Sequence, residues 1–126
     1  MPKRKLEPLP SAAFQILLAL AGEELHGYAI MRQVEEQTDG KMRLGPGALY
    51  SSVQSLLEAG LIEEVEPRQQ SKNGREPRRE TKNGDDRRRY YRLTFAGRKL
   101  AVSEAERLAD LLRVARAKKI LRGRYV

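Results

Sequence analysis

Apolar residues recur every three or four positions in four stretches of this chain and alternate in two short ones. From Ala12 to Ala21 they nearly encircle the segment, with Phe14, Leu17, Leu18 and Ala21 on one side and Ile16 and Leu20 on another. That periodicity predicts a helix, and a helix apolar all round belongs in the middle of a core or against a second chain. Ser11 is placed to cap it and Gly22 to end it. A second helix is predicted from Gly27 to Thr38. Ile30, Met31 and Val34 face inward, Arg32, Gln33, Glu35 and Glu36 outward, and Gly40 marks the stop. A third begins at Pro46, whose missing N–H is not needed in a first helical turn. Its inward stripe is Leu49, Val53, Leu56 and Leu57. Its outward face carries Ala48, Ser51, Ser52, Gln54 and Ser55, with no acid before Glu58.

Gly60 closes that helix, and the pattern changes. Leu61 to Val65 reads as one strand and Arg88 to Thr94 as its return. Tyr90 and Tyr91 then point to opposite faces, so one belongs to the core. Glu63, Glu64 and Glu66 on the first strand can pair with Arg88, Arg89 and Arg92 on the second, each exposed pair contributing roughly 0–1 kcal/mol. The connection, Pro67 to Arg87, has no aliphatic residue and holds two turn signals, Asn73-Gly74 and Asn83-Gly84. Thr94 is placed to cap a last helix from Phe95 to about Arg122. Along it Ala101, Ala105, Leu108, Leu112 and Ala115 alternate steps of four and three, a coiled-coil-like seam that Leu100 and Leu111 widen. A helix so long, ending so small a domain, has little of its own chain to pack on, and a second copy supplies the missing partner. The predicted fold class is therefore mainly α with a small β-hairpin (α+β). A winged helix-turn-helix domain spans residues 1–94, with its wing at about 61–94, and a C-terminal dimerisation helix with a basic tail spans 95–126. The third helix suits a major groove about 12 Å wide, and a cationic hairpin suits the flanking phosphates.

Charge sharpens this picture. The formal net charge is +8, but residues 1–65 carry 6 basic and 9 acidic side chains, a net of −3. Residues 66–92 carry 10 basic and 5 acidic, and residues 93–126 carry 9 basic and 3 acidic. The excess therefore lies in the hairpin and the final helix, and a localised excess is what a polyanion-binding face requires. The 126 residues suit one domain with an appended helix. There is no apolar run near the roughly 20 residues that a membrane span needs. The basic start, Met1-Pro2-Lys3-Arg4-Lys5, leads into an apolar stretch that contains Gln15 and lacks a small-residue cleavage pattern, so no secretory signal is expected. Without cysteine there is no disulfide framework, thiolate metal site or cysteine nucleophile, which fits the cytoplasm. No carboxylate pair, phosphate-cradling loop or nucleophile–base set stands out. The one histidine, His26, opens a helix, where a structural role is expected. No enzyme activity, metal or cofactor is expected.

Three blocks carry a family resemblance: His26-Gly27-Tyr28-Ala29-Ile30; Leu49-Tyr50 leading to Leu56-Leu57-Glu58-Ala59-Gly60-Leu61-Ile62; and Arg89-Tyr90-Tyr91-Arg92-Leu93-Thr94-Phe95-Ala96-Gly97-Arg98. In this order and at this spacing, over about residues 10 to 115, the chain resembles the PadR family of bacterial transcriptional regulators, in particular the branch with a single dimerisation helix. The resemblance implies a cytoplasmic, nucleoid-associated homodimeric repressor that responds to a ligand or stress. It implies a C-terminal helix packed on the partner's N- and C-terminal helices, a third helix in the major groove and a wing on the flanking backbone. Many members have proline after the Leu-Tyr pair where this chain has Ser51. The wing, at about 20 residues, is long for the family. Some multidrug-binding members sandwich aromatic ligands with a tryptophan, and this chain has none.

The candidate DNA contacts are Tyr50, Ser51 and Ser55 on the third helix, Lys41 and Arg43 just before it, and Arg75, Arg78, Arg79, Arg87 and Arg88 on the wing. Each set has a plainer reading, a solvated helix face for the first and a solvated loop for the second. Serine discriminates bases poorly, and no arginine on the helix face offers a bidentate guanine contact, so specificity rests on few base contacts plus DNA shape. The candidate dimer interface is Phe14, Leu18, Ala101, Ala105, Leu108, Leu112 and Ala115. The expected partners are double-stranded DNA with a near-palindromic operator, a second copy of the chain, and a small aromatic or apolar effector held near Phe14, Leu18 and Leu108. No membrane partner is expected. The alternative is a winged-helix interaction module whose basic hairpin binds an acidic protein. A single-strand or RNA binder fits less well, because the hairpin lacks interleaved aromatics for base stacking.

Overall fold

The first helix, α1 (Ser11–Ala19), lies at the centre of the core. The fold is a computed structural model that describes residues 9–66 and 89–122. Ile16, Leu17 and Leu20 are buried together with Ile30 and Val34 of α2 (Gly27–Gln37) and with Leu49, Val53 and Leu56 of α3 (Pro46–Glu58). The inward stripes expected for α2 and α3 are thus the ones that pack. Around α1 the burial follows Ala13, Ile16, Leu17 and Leu20, leaving Phe14 half-buried, Leu18 40% exposed and Ala21 exposed. Two expectations for α1 are corrected. Ser11 is the first helical residue rather than the cap. Pro10 holds the cap position in extended backbone without a side-chain hydrogen bond, and Phe14 N–H closes the first turn on Pro10 O at 3.0 Å. The helix stops at Ala19, two residues before Ala21, because the chain tightens there (Ala21 N–H to Leu18 O, 3.1 Å) ahead of Gly22, whose φ of 84° reverses it.

The other helix ends share one device. At the end of α3, Leu61 N–H reaches Leu56 O at 3.0 Å and Gly60 N–H reaches Leu57 O at 3.0 Å, with Gly60 at φ 77°. That is a Schellman closure, with glycine in the left-handed position it favours. Helix α2 ends the same way, but Asp39 (φ 54°) rather than Gly40 takes the first left-handed position, and Gly40 N–H bonds Glu35 O at 2.8 Å. Thr38 then orders the turn toward α3, donating to Val34 O at 2.9 Å and accepting from Met42 N–H at 3.0 Å.

Among the described residues the sheet has three antiparallel strands in the order β1 (Leu25–His26), β3 (Tyr90–Leu93), β2 (Ile62–Val65). Strands β2 and β3 form the expected hairpin base, registered from Ile62 opposite Leu93 to Val65 opposite Tyr90. Both are shorter than predicted: Leu61 lies in the bend after α3, Thr94 is the cap of the next helix, Arg89 precedes the strand, and Arg88 lies outside the described residues. Strand β1, a two-residue piece between helices, was not expected from the alternation. It pairs Leu25 with Tyr91 and His26 with Tyr90. Of the two tyrosines Tyr91 is the core member.

Helix α4 (Phe95–Ala117) starts as predicted, with Thr94 Oγ1 accepting from Gly97 N–H at 3.0 Å. Thr94 also donates its hydroxyl to Gly60 O at 2.8 Å and its N–H to Leu61 O at 3.1 Å. Gly97 is buried on the Leu61 carbonyl, and a Cβ there would overlap that oxygen. The helix ends at Ala117 rather than near Arg122. Lys119 turns left-handed (φ 62°) and Ile120 N–H closes on Ala115 O at 2.8 Å. Arg116, Lys118 and Lys119 at this end complement the helix dipole.

Gly97→Ala is therefore expected to destabilise the fold by about 3 kcal/mol, the upper end of overpacking costs, because a backbone carbonyl cannot rotate away. Gly47→Ala is the control. Among the described residues nothing lies within 4 Å of a Cβ at Gly47, so the helix should gain up to about 1 kcal/mol. Urea unfolding of the two variants checks both signs.

Candidate nucleic-acid interface

Helix α3 divides sharply. Leu49, Val53 and Leu56 are buried, while Gly47, Ala48, Ser51 and Gln54 are exposed and Ser52 and Ser55 are half-buried. Ser51 and Ser55, four residues apart, share one outward face. Gln54 lies on the same face, three residues beyond Ser51, and donates to Glu58 Oε2 at 3.3 Å. It was absent from the candidate contacts, although the same periodicity marks it as outward. The start of α3 is bare: Gly45 occupies the cap with no side-chain hydrogen bond, Pro46 follows, and nothing among the described residues lies within 4 Å of a Cβ at Gly45 or Gly47.

Lys41 and Arg43 are exposed on the segment leading into α3. Arg43 Nε lies 3.3 Å from Glu35 Oε2 on α2, so that cation is partly balanced, with both groups well solvated. Tyr50 is 55% exposed, yet its hydroxyl turns back over Gly27 at the start of α2. His26 caps that helix, its Nδ1 accepting from Ala29 N–H at 3.2 Å, and its ring meets Tyr90 edge-on with centroids 5.3 Å apart. The structural role expected of His26 is this cap and strand junction. Burial pushes the Tyr91 phenol above its ordinary value, with Glu64 adding to the rise, Arg89 opposing it and Tyr50 adding to it.

Among the described residues two of the expected cross-strand ion pairs form. Arg92 Nε donates to Glu63 Oε2 at 2.7 Å, and Arg89 Nε lies 3.7 Å from Glu64 Oε2. Arg92 also reaches Glu24 Oε2 at 3.5 Å, and the Glu63 carboxylate, with Glu24 after it, raises its guanidinium above the usual range. The hairpin base is thus close to electrically balanced. The wing candidates Arg75, Arg78, Arg79, Arg87 and Arg88 lie outside the described residues.

The candidate dimer residues separate into two groups. Phe14 and Ala101 pack on the chain's own core. Ala105 is exposed, Leu108 and Ala115 are half-buried, Leu112 is 40% exposed, and Leu111 and Val114 are exposed beside them. The last buried residue of α4 is Glu104. Its carboxylate accepts from Arg107 Nε at 3.0 Å and Nη2 at 2.6 Å, which holds it below the usual range. Among the described residues no group of three His, Cys, Asp or Glu could hold a metal ion, and no helix is long and apolar enough to cross a membrane.

The model of the transcriptional regulator PadR-like family matches residues 16–102. The chain belongs to that family. Its members are transcriptional regulators, which are not a class of enzymes. A PadR family transcription regulator from Clostridium difficile superposes with a TM-score of 0.65 at 22% identity, covering 86% of this chain and 97% of that one. A transcriptional regulator from Clostridium thermocellum gives 0.64 at 23% identity, covering 87% and 90%. At that identity the likeness shows the fold. A 37.1 kDa protein in transposon TN4556 of Streptomyces fradiae is 37% identical over 100 residues, 79% of this chain. The chain spans about a quarter of that curated relative's length. In this PadR-like chain the family match runs from the core residue Ile16 to Val102 in α4, so it takes in α2, α3, the hairpin and the docking turn of α4.

A raised phenol pKa links Tyr91 to stability. The folded state keeps its proton where the unfolded chain has lost it. Its contribution is fully present below the ordinary value of 10.0 and is lost as pH rises through the raised value. Unfolding free energy should therefore fall above pH 10, and Tyr91→Phe should flatten that fall, as measured by urea titrations from pH 9 upward.

Proposed function

We propose that this chain is a sequence-specific double-stranded DNA-binding regulator that acts as a two-fold dimer and represses transcription until a small-molecule or stress signal releases it. The division of α3 carries the reading: one face is locked into the core, and the other offers small and hydrogen-bonding groups with no acid before Glu58. Beside it stands a hairpin whose base balances its own charges and whose connection carries the basic excess. In this reading Tyr50, Ser51 and Ser55 face base edges and phosphates, with Lys41 and Arg43 on the approach. Arg75, Arg78, Arg79, Arg87 and Arg88 neutralise flanking phosphates.

The second copy covers the apolar side of α4 beyond Glu104, where Leu108, Leu112 and their neighbours have little of their own chain to pack on. Leu18 of α1 lies on the same interface. Two-fold symmetry sets two copies of α3 in successive major grooves, so the operator is a near-palindrome with half-sites roughly 34 Å apart or a multiple of that. Occupying such a site excludes other proteins from it, which is the simplest physical basis for repression. A small apolar or aromatic effector bound between the dimer helices near Phe14, Leu18 and Leu108 would change the spacing of the two reading helices and so release the DNA.

A mobility-shift assay against the DNA upstream of the chain's own gene tests the reading. A shifted band that survives competitor DNA supports it, and binding only to acidic proteins overturns it. The wing's role is tested with salt. Replacing Arg75, Arg78 and Arg79 with Ala should weaken operator and random DNA by similar factors. Each lost phosphate contact should flatten the slope of log K against log salt by about 0.9. An unchanged slope, or loss on operator alone, assigns the wing differently.

The dimer is tested by Leu108→Glu together with Leu112→Glu, which brings like charges into a desolvated seam. The expected outcome in sedimentation is monomer or unfolded chain. A stable folded dimer would place the interface elsewhere.

A further inference from the structure

Among the described glycines without positive φ, Gly45 and Gly47 face open space, whereas Gly27 and Gly97 are crowded by other elements. Gly22, Gly40 and Gly60 all have positive φ, and Gly97 is overlaid by a carbonyl. Gly27 has neither feature. It sits at the first position of α2 in ordinary helical backbone, where alanine is the better helix former. The space its side chain would fill is already taken. A Cβ at Gly27 would stand 3.0 Å from the Tyr50 hydroxyl oxygen, 3.2 Å from Leu49 Cδ2 and 3.5 Å from Tyr50 Cζ. All three atoms belong to α3, so the missing side chain of α2 is a seat for α3.

The two sides of this contact differ in freedom. Gly27 is fixed by its neighbours. His26 before it pairs in the sheet with Tyr90 and caps the helix through Ala29 N–H at 3.2 Å, and Ile30 after it is fully buried. Leu49 is fully buried too. Tyr50 is more than half exposed and is the member that yields. The ring is therefore a strut, with one end on α3 and its hydroxyl against the start of α2.

We propose that Gly27 is a specificity-positioning residue: by carrying no side chain it seats the Tyr50 ring and so fixes how α3 presents Tyr50, Ser51 and Ser55 to DNA. The inference rests on the DNA-reading role of α3 proposed above. It assigns sequence choice to a residue that itself touches no base. A packing role alone would lower stability and weaken all binding together. A positioning role changes the ratio of operator to random-DNA affinity.

The test is a double-mutant cycle of Gly27→Ala and Tyr50→Phe. Removing the hydroxyl removes the 3.0 Å contact and leaves the ring carbon at 3.5 Å, an ordinary distance, while the Leu49 methyl at 3.2 Å is common to both backgrounds and cancels in the cycle. In the parental background Gly27→Ala should lower the operator-to-random ratio roughly tenfold, within the range for coupled neighbours. In the Tyr50→Phe background the same change should move the ratio by less than about twofold. Carbon-13 tyrosine labelling reads the strut without DNA. The ring signal that disappears in Tyr50→Phe should shift in Gly27→Ala, while the Tyr91 signal stays in place. An unchanged ratio, an equal loss in both backgrounds or an unmoved Tyr50 signal each overturns the proposal. If Gly27→Ala alone fails to fold, the double variant must fold, and failure of that rescue overturns it as well. A parental protein that binds operator and random DNA alike sinks the DNA-reading role of α3, and this proposal falls with it. A parent that discriminates beside a Gly27→Ala variant that discriminates equally well overturns this proposal alone.

Discussion

The carbonyl oxygen of Leu61 is the point on which the architecture turns. It accepts Thr94 N–H and lies against the bare Cα of Gly97, while the Thr94 hydroxyl holds the neighbouring Gly60 carbonyl. Leu61 ends the Schellman turn of α3, and Thr94 starts α4. One small cluster of backbone groups therefore joins the end of α3, the foot of the hairpin and the start of the long helix. Because the contact is backbone on backbone, it leaves little room for adjustment. The direction in which α4 leaves the domain follows from the direction in which α3 ends, and any dimer built on α4 inherits that angle.

Much of this was legible in the sequence, for reasons that can be named. The stripes Ile30–Val34 and Leu49–Val53–Leu56 are long and periodic, and burial decides them. Thr94 was legible because a hydroxyl before an apolar helical run has few other uses. The errors lie where local chemistry competes. Ser11 has the right side chain for a cap, but Pro10 occupies that position and Ser11 becomes helical. Strand β1 is too short to show alternation; it exists because Leu25 and His26 meet the free edge of β3, a tertiary event. The end of α4 was placed too far along because lysine in left-handed backbone leaves no mark in composition. The site was less legible than the fold. Exposed serines on α3 could be picked out by periodicity, whereas the part Gly27 plays emerges only once α2 and α3 are packed together.

Charge and packing are divided between different parts of the chain. Most residues that build the core come from a segment of slight negative charge, and the basic excess lies in the wing connection and in the tail after α4, with a smaller share along α4 itself. The pairs Glu63–Arg92 and Glu64–Arg89 sit where the two parts meet and keep the sheet edge close to neutral. Under the proposed DNA-binding role, a polyanion is attracted by cations whose substitution leaves the core untouched. The same separation lets salt modulate attraction while hydrophobic burial maintains the fold.

The hairpin base also separates the length of the connection from the pairing that the fold needs. Four registered residue pairs, from Ile62 with Leu93 to Val65 with Tyr90, fix the two ends of the connection. Beyond that clamp, lengthening a connection is thermodynamically mild, since each doubling costs only about 0.6 kcal/mol in closure entropy. Insertions, deletions and exchanged cations can therefore accumulate between Glu66 and Arg89 with little effect on whether the domain folds. The clamp thus separates the length and charge of this connection from the stability of the scaffold that carries it.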